Sequence, residues 1–273
     1  MTSLRSDPVS SGNDAGERSV GGARSVALRT EALTKEFRGF RAVDSVALEV
    51  RQGDVHALVG PNGAGKTTLF NLLTGFLHPS SGTITVFGRD VTGHEPQQIA
   101  RRGVARSFQI TSLFENLTAR EHVELALQGL TSQGFRFWRS VKLLGRQRGR
   151  VDELLGQVGL GALADKRAGS LAYGQKRALE IALVLALDPQ ILLLDEPTAG
   201  MGIEDIDRTI ELVRRIAVGR TVIFVDHNMH VVGSLANRVT VLQQGRILSE
   251  GTYQEVRNDP QVISAYLGDA DHA

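Results

Sequence analysis

The chain contains no cysteine among its 273 residues, which excludes disulfides and thiolate metal sites and is compatible with a reducing compartment. A net charge is also missing: 31 Lys and Arg stand against 30 Asp and Glu, leaving +1. With no basic field over the whole molecule, nucleic acid is not expected as a partner, and any polyanion must be held by a local device. Long apolar runs are absent too. The longest, Ile181 to Leu194, is broken by Asp188-Pro189-Gln190, so no segment is expected to span a bilayer. Residues 1–24 are rich in Ser, Gly, Arg and Asp with almost no large apolar side chains. That is the composition of a disordered tail, and without an apolar stretch it is not a secretory signal. The remaining chain, with 41% hydrophobic residues overall, suffices for one large core or two modest ones.

What is present is organised around Gly60-Pro61-Asn62-Gly63-Ala64-Gly65-Lys66-Thr67. An apolar, β-branched run at Val55–Val59 predicts a buried strand before it, and Thr67–Thr74 predicts a helix after it. Glycines at 60, 63 and 65 permit positive φ and close backbone approach, so successive N–H groups can face an oligophosphate at a helix N-terminus. Lys66 is placed to reach the β- and γ-phosphates, and the Thr67 hydroxyl to ligate Mg²⁺.

Elsewhere the pattern predicts strands at Val26–Leu33 and Val46–Val50, joined through Phe37-Arg38-Gly39-Phe40. Phe37 is either a platform for a purine face or, with Phe40, an ordinary core anchor. A strand is expected at Thr83–Phe87, and a helix end plus strand over Ile99–Phe108, closing on Gln109. From Ile110 to about Arg167 the periodicity turns helical. Within that region Arg136, Arg139, Lys142, Arg146, Arg148 and Arg150 follow one another with no acid before Asp152, which reads as the solvated basic side of a helical hairpin or a contact to a partner. Leu171-Ala172-Tyr173-Gly174-Gln175 precedes a helix expected from about Lys176 to Leu187. The buried strand Ile191–Leu194 delivers Asp195-Glu196 at its carboxyl end, where an open parallel sheet binds ligands. There Asp195 faces the metal held by Thr67, and Glu196 stands where an attacking water would be. A further buried strand, Thr221–Val225, ends at Asp226-His227, and His227 is read as a hydrogen-bonding partner for phosphate. His227 and His230 together lack a third ligand nearby, so a metal pair is not expected. A hairpin through Gln244-Gly245, a capping box at Thr252–Glu255 and an amphipathic turn ending at Gly268 complete the chain.

The phosphate loop, Gln109, the 171–175 pentapeptide, Leu193-Leu194-Asp195-Glu196-Pro197 and His227, in that order, resemble the nucleotide-binding subunit of an ATP-binding-cassette (ABC) transporter. The resemblance covers nearly everything from Val26 to Gly268. Gly60 to Asn71, the pentapeptide with Leu179-Glu180-Ile181-Ala182, and Ala265-Tyr266-Leu267-Gly268 are similar to the subgroup that energises branched-chain amino acid import. The implied fold is α/β: an ABC-type P-loop NTPase domain with a mixed sheet core, an antiparallel β subdomain and a helical subdomain. The implied domain spans 25–268, with the helical subdomain at about 110–187 and a tail at 269–273.

The resemblance also implies roles. Phe37 would stack on adenine. Gly60, Pro61, Asn62, Gly63, Ala64, Gly65, Lys66, Thr67 and Thr68 would bind ATP; Thr67, Gln109 and Asp195 would serve Mg²⁺. Glu196 would activate water, with His227, Lys66 and Gln109 completing the catalytic set. Leu171, Ala172, Tyr173, Gly174 and Gln175 would face ATP held by a second ABC subunit, so two cassettes would sandwich two nucleotides. Integral membrane permease subunits, and indirectly a solute-binding protein, would be the other partners, with the cassette peripheral on the cytoplasmic face of the inner membrane. The family's commonest pentapeptide is Leu-Ser-Gly-Gly-Gln, so Ala172 lacks a hydroxyl and Tyr173 replaces a glycine. Gly202 stands where many relatives carry Asp or Asn, which suits a non-identical second cassette. Alternatives are urea or amide import, lipopolysaccharide export, a soluble ABC ATPase acting on DNA or ribosomes, and a non-hydrolysing regulator.

Overall fold

The structure, a computed structural model, describes residues 24–107, 113–130 and 141–267, with the backbone alone at 130, 141–147 and 267. The expectations for Gln109, residues 1–23, Arg136, Arg139 and 268–273 lie outside the described residues. Strands β1 (Val26–Phe37), β2 (Phe40–Val46), β3 (Glu49–Arg51) and β4 (Val55–Val59) lead to helix α1 (Lys66–Leu73). They are followed by β5 (Ser81–Val86), β6 (Arg89–Asp90), α2 (Pro96–Ala100) and β7 (Val104–Ser107). Helices α3 (Ala119–Leu130), α4 (Val141–Gln157) and α5 (Tyr173–Leu185) come next. Then follow β8 (Ile191–Asp195), α6 (Ile203–Ala217), β9 (Thr221–Val225), α7 (Met229–Leu235), β10 (Arg238–Gln243), β11 (Arg246–Gly251), α8 (Tyr253–Arg257) and α9 (Pro260–Leu267).

The main sheet has the order β11-β10-β4-β9-β8-β7. All neighbours from β10 to β7 are parallel, and only β11 is antiparallel. Every residue of β8 and β9 is buried, as expected of parallel strands covered on both faces. Their side chains alternate between two cores. Leu192, Leu194, Val222 and Phe224 face the core shared with α4 to α7, whereas Ile191, Leu193, Ile223 and Val225 face the one shared with α1 and the antiparallel strands.

The second sheet, β2-β1-β5-β6 with β3 also on β1, is antiparallel. Here the two expected strands are three. β1 runs on to Phe37 and turns through Arg38-Gly39, whose φ of 48° and 90° fit the two-residue hairpin turn that matches strand twist. Phe37 and Phe40 pair across that turn at 42% and 66% exposure, so neither is a core anchor. Arg24, assigned to the tail, pairs with Asp54 at 2.9 Å.

His56, in the middle of β4, is fully buried. Its Nε2 lies 2.8 Å from Thr240 Oγ1, which donates in turn to Glu250 at 3.2 Å, so Nε2 carries the proton and the ring is neutral. Burial pushes the imidazole pKa down to about 4. The unfolded chain, near 6.5, binds the extra proton first, so this group favours folding above pH 6.5 and loses that contribution as pH falls towards 4. About 3 kcal/mol is at stake between those two values. His56→Gln is expected to flatten the pH dependence of urea unfolding within that window.

Candidate functional site

Because β4, β9 and β8 are parallel neighbours, the segments leaving their carboxyl ends meet on one edge of the sheet: 60–67, 226–228 and 196–202. The first is packed between backbones. A Cβ on Gly60, at φ 149°, would lie 2.1 Å from the Leu242 carbonyl oxygen, and one on Gly65, at φ 100°, 2.3 Å from that of Ala42. Only glycine fits between β10 and β2 at these points. The Gly245 N–H donates to Ala64 at 3.0 Å and so pins the loop from the β10–β11 turn. Lys66 reaches back over the loop, donating to the Gly60 and Pro61 carbonyls at 2.7 and 2.8 Å. Its burial lowers the ammonium pKa, while the negative charge of Glu196 opposes the shift. The sheet edge therefore brings the lysine and the glutamate into one electrostatic site. Thr67 and Asn62 are exposed at its surface.

Asp195, at the end of β8, is buried and paired with Arg106 of β7, which also donates to Asn71 of α1 at 2.6 Å and stacks on Phe70. Glu196 has φ 45°, and its N–H donates to Val225 at 2.8 Å. One carboxylate oxygen lies 3.1 Å from His227 Nε2. Asp226 organises both neighbouring segments: its carboxylate accepts from Thr198 Oγ1 at 2.6 Å and from the Asn228 N–H at 2.9 Å. The two acids sharing one strand end thus differ in setting. Asp195 is clamped, whereas Glu196 is a quarter exposed beside a half-exposed imidazole.

The pentapeptide differs from its expected form by being helical. α5 starts at Tyr173, not Lys176, because Gln175 Oε1 accepts from the Ala172 N–H at 3.1 Å and caps the helix three residues earlier. Ala172 and Tyr173 are exposed and Gly174 is half-buried, so unpaired N–H groups of the first turn stand at the surface. This is an anion-accepting helix end without a hydroxyl. Phe37 stands exposed beside Lys35, whose ammonium lies 5.2 Å from the ring centroid.

A glycine loop crowded by neighbouring carbonyls, a lysine folded over it, and a glutamate–histidine pair beside it fit a nucleoside triphosphate. Comparison with known proteins agrees: the profile of the ABC transporter family matches residues 43–199. The chain belongs to the ABC transporter family. This ABC cassette is an ATPase that powers transport. The profile described as "Branched-chain amino acid ATP-binding cassette transporter" matches residues 246–272. The high-affinity branched-chain amino acid transport ATP-binding protein LivG of Salmonella typhimurium is 40% identical over 251 residues, 89% of this chain and 98% of that protein. Among solved structures, the ADP conformation of MJ1267, an ATP-binding cassette of an ABC transporter, superposes with a TM-score of 0.79. It is 29% identical and covers 89% of this chain and 99% of that one. The dimeric structure of MJ0796, a bacterial ABC transporter cassette, gives 0.69 at 25% identity over 83% and 98%.

Three side chains of the cassette's site escaped the sequence reading. Arg106 sits alone in the apolar strand Val104–Ser107, and that isolation was the available signal. Arg177 and Glu180 form a buried ion pair at 2.8 Å within α5, a charged i, i+3 pair on an otherwise apolar helix face.

Proposed function

We propose that this cassette is the ATP-hydrolysing subunit of an importer for branched-chain amino acids, peripheral on the cytoplasmic face of the cell membrane. The observation that carries the proposal is the meeting of Lys66, Asp195, Glu196 and His227 on one sheet edge, with the pentapeptide at the exposed end of α5. The carboxyl-terminal profile and the LivG likeness support the cargo class. No helix among the described residues is long and apolar enough to cross a membrane, so permease subunits must supply the path.

In this reading the 60–67 loop and Lys66 would hold the phosphates of ATP, exposed Phe37 would lie under the adenine, and Thr67, Gln109 and Asp195 would hold Mg²⁺. When bound, that ion neutralises phosphate charge during hydrolysis. Arg106 keeps Asp195 paired and fixed in place before the metal arrives. Glu196 accepts a proton from the attacking water, and His227 orients the carboxylate through their shared hydrogen bond and contacts the γ-phosphate. The first turn of α5 offers its N–H groups to the nucleotide of a second cassette, identical or sister. The closing of that pair is passed to permeases docked on the helical region, and a solute-binding protein selects the cargo outside.

The test is uptake in the host. A strain whose only copy carries Lys66→Ala is expected to lose leucine uptake by at least about tenfold, by loss of phosphate contacts, and to keep urea uptake. Unchanged leucine uptake, or loss of urea uptake alone, removes the proposed cargo.

A further inference from the structure

Two side chains on one face of α5 hold the backbone on both sides of Glu196. Tyr173 and Arg177 are one turn apart, at i and i+4, and so project together. The Tyr173 hydroxyl donates to the Ala199 carbonyl at 3.1 Å. Arg177 Nη2 donates to the Asp195 carbonyl at 2.8 Å, while its Nη1 donates to Glu180 at 2.8 Å, with both charged residues buried. Between the two held carbonyls lie Glu196, Pro197 and Thr198. The Ala199 N–H returns to the Glu196 carbonyl at 3.1 Å and closes this short turn.

The arrangement answers a specific need. Glu196 has φ 45°, a conformation that a non-glycine residue keeps only where its surroundings over-determine it. Val225 holds the Glu196 N–H, α5 holds the carbonyls at 195 and 199, and Asp226 holds Thr198 between them. A buried arginine is costly where its charge is not matched. Here Glu180 matches it, leaving the other arm of the planar fork for a main-chain carbonyl. The tyrosine is equally specific: a glycine at 173 would have no side chain with which to reach Ala199.

We propose that Tyr173 and Arg177 are positioning residues for Glu196. They make the first turns of α5 and the 195–199 segment one body, so that engagement of the pentapeptide by a nucleotide sets the carboxylate of the same chain. The proposal rests on the role given to Glu196 above. Arg177 is buried within its own chain, on Glu180 and the Asp195 carbonyl, so a rate effect at 177 is expected to pass through that chain.

The experiment compares Tyr173→Phe, Arg177→Lys and their combination in the full chain, in the assembly that hydrolyses ATP. Tyr173→Phe deletes only the hydroxyl of a side chain that is 56% exposed. Arg177→Lys keeps the charge beside Glu180 and loses the second arm. Each is expected to lower kcat roughly three- to tenfold, the effect of one lost hydrogen bond. The KM for ATP stays within about twofold, because positioning of Glu196 acts after binding. The combined variant loses less than the product of the two, since both act on one body. A kcat for Tyr173→Phe equal to the parent's, a loss carried by KM, or a fully multiplicative double variant overturns the proposal. Should Arg177→Lys unfold, Tyr173→Phe decides alone. Glu196→Gln, run alongside, separates the two levels: if it still turns over, the role of Glu196 fails, and if it is inactive while Tyr173→Phe matches the parent, only the positioning fails.

Discussion

Replacing Glu196 by Gln is expected to lower the ATP turnover rate by about 10²- to 10⁴-fold, the range attributable to a positioned general base. The affinity for ATP is expected to persist. The amide keeps the shape of the carboxylate and can still meet His227 across the present 3.1 Å, but it has neither the charge nor the basicity to take a proton. The backbone of the phosphate cradle is unchanged, because the contacts that hold 60–67 come from β2, β10 and the β10–β11 turn. Phosphate release and equilibrium ATP binding, measured on the same preparation, check both halves. Turnover within about tenfold of the parent would remove Glu196 from the role of base.

Gly65→Ala is expected to damage binding itself. At φ 100° an L side chain is strained, and its Cβ would stand 2.3 Å from the Ala42 carbonyl oxygen. That neighbour is backbone of β2, at the bulge flanked by the pairs Lys35–Val43 and Glu36–Arg41, and a main-chain carbonyl cannot rotate aside as a side chain can. Either the loop or β2 must shift. The cost to stability is about 1–3 kcal/mol for the strain, with the overlap in addition. A phosphate cradle displaced by even about 1 Å is expected to lose about 10²-fold or more in ATP hydrolysis at low ATP, where binding and chemistry both count. Urea unfolding and kcat/KM report the two effects separately. Parent-like values in both would show that the loop is not confined between β2 and β10.

The position of this site was legible where it lies in contiguous residues. The apolar runs at 55–59, 191–194 and 221–225 read as buried strands because parallel strands need no polar alternation, and their carboxyl ends marked Lys66, Asp195, Glu196 and His227. What sequence could not supply was order across the sheet. That β9 lies between β4 and β8, and so brings His227 between the loop and the acids, depends on long-range pairing with no local signal. Boundaries failed where single side chains decided them. Gln175 drew the start of α5 back to Tyr173, and Arg38 joined Gly39 in positive φ to make a tight hairpin of what read as a loop. Phe37 and Phe40 were ambiguous as letters, because an aromatic residue suits a core and an exposed platform equally, and only burial separates the two. The ties from Arg106 and Arg177 join residues distant in the chain and have no spacing to read.

In our reading the nucleotide-holding edge is completed by the pentapeptide of another cassette. The most direct measurement is the mass and nucleotide content of the Glu196→Gln assembly isolated in the presence of ATP. Two intact ATP molecules are expected to be occluded by each closed pair of cassettes, and the pairs to separate when ATP is withheld. Single cassettes that stay apart with ATP fully bound would contradict that reading.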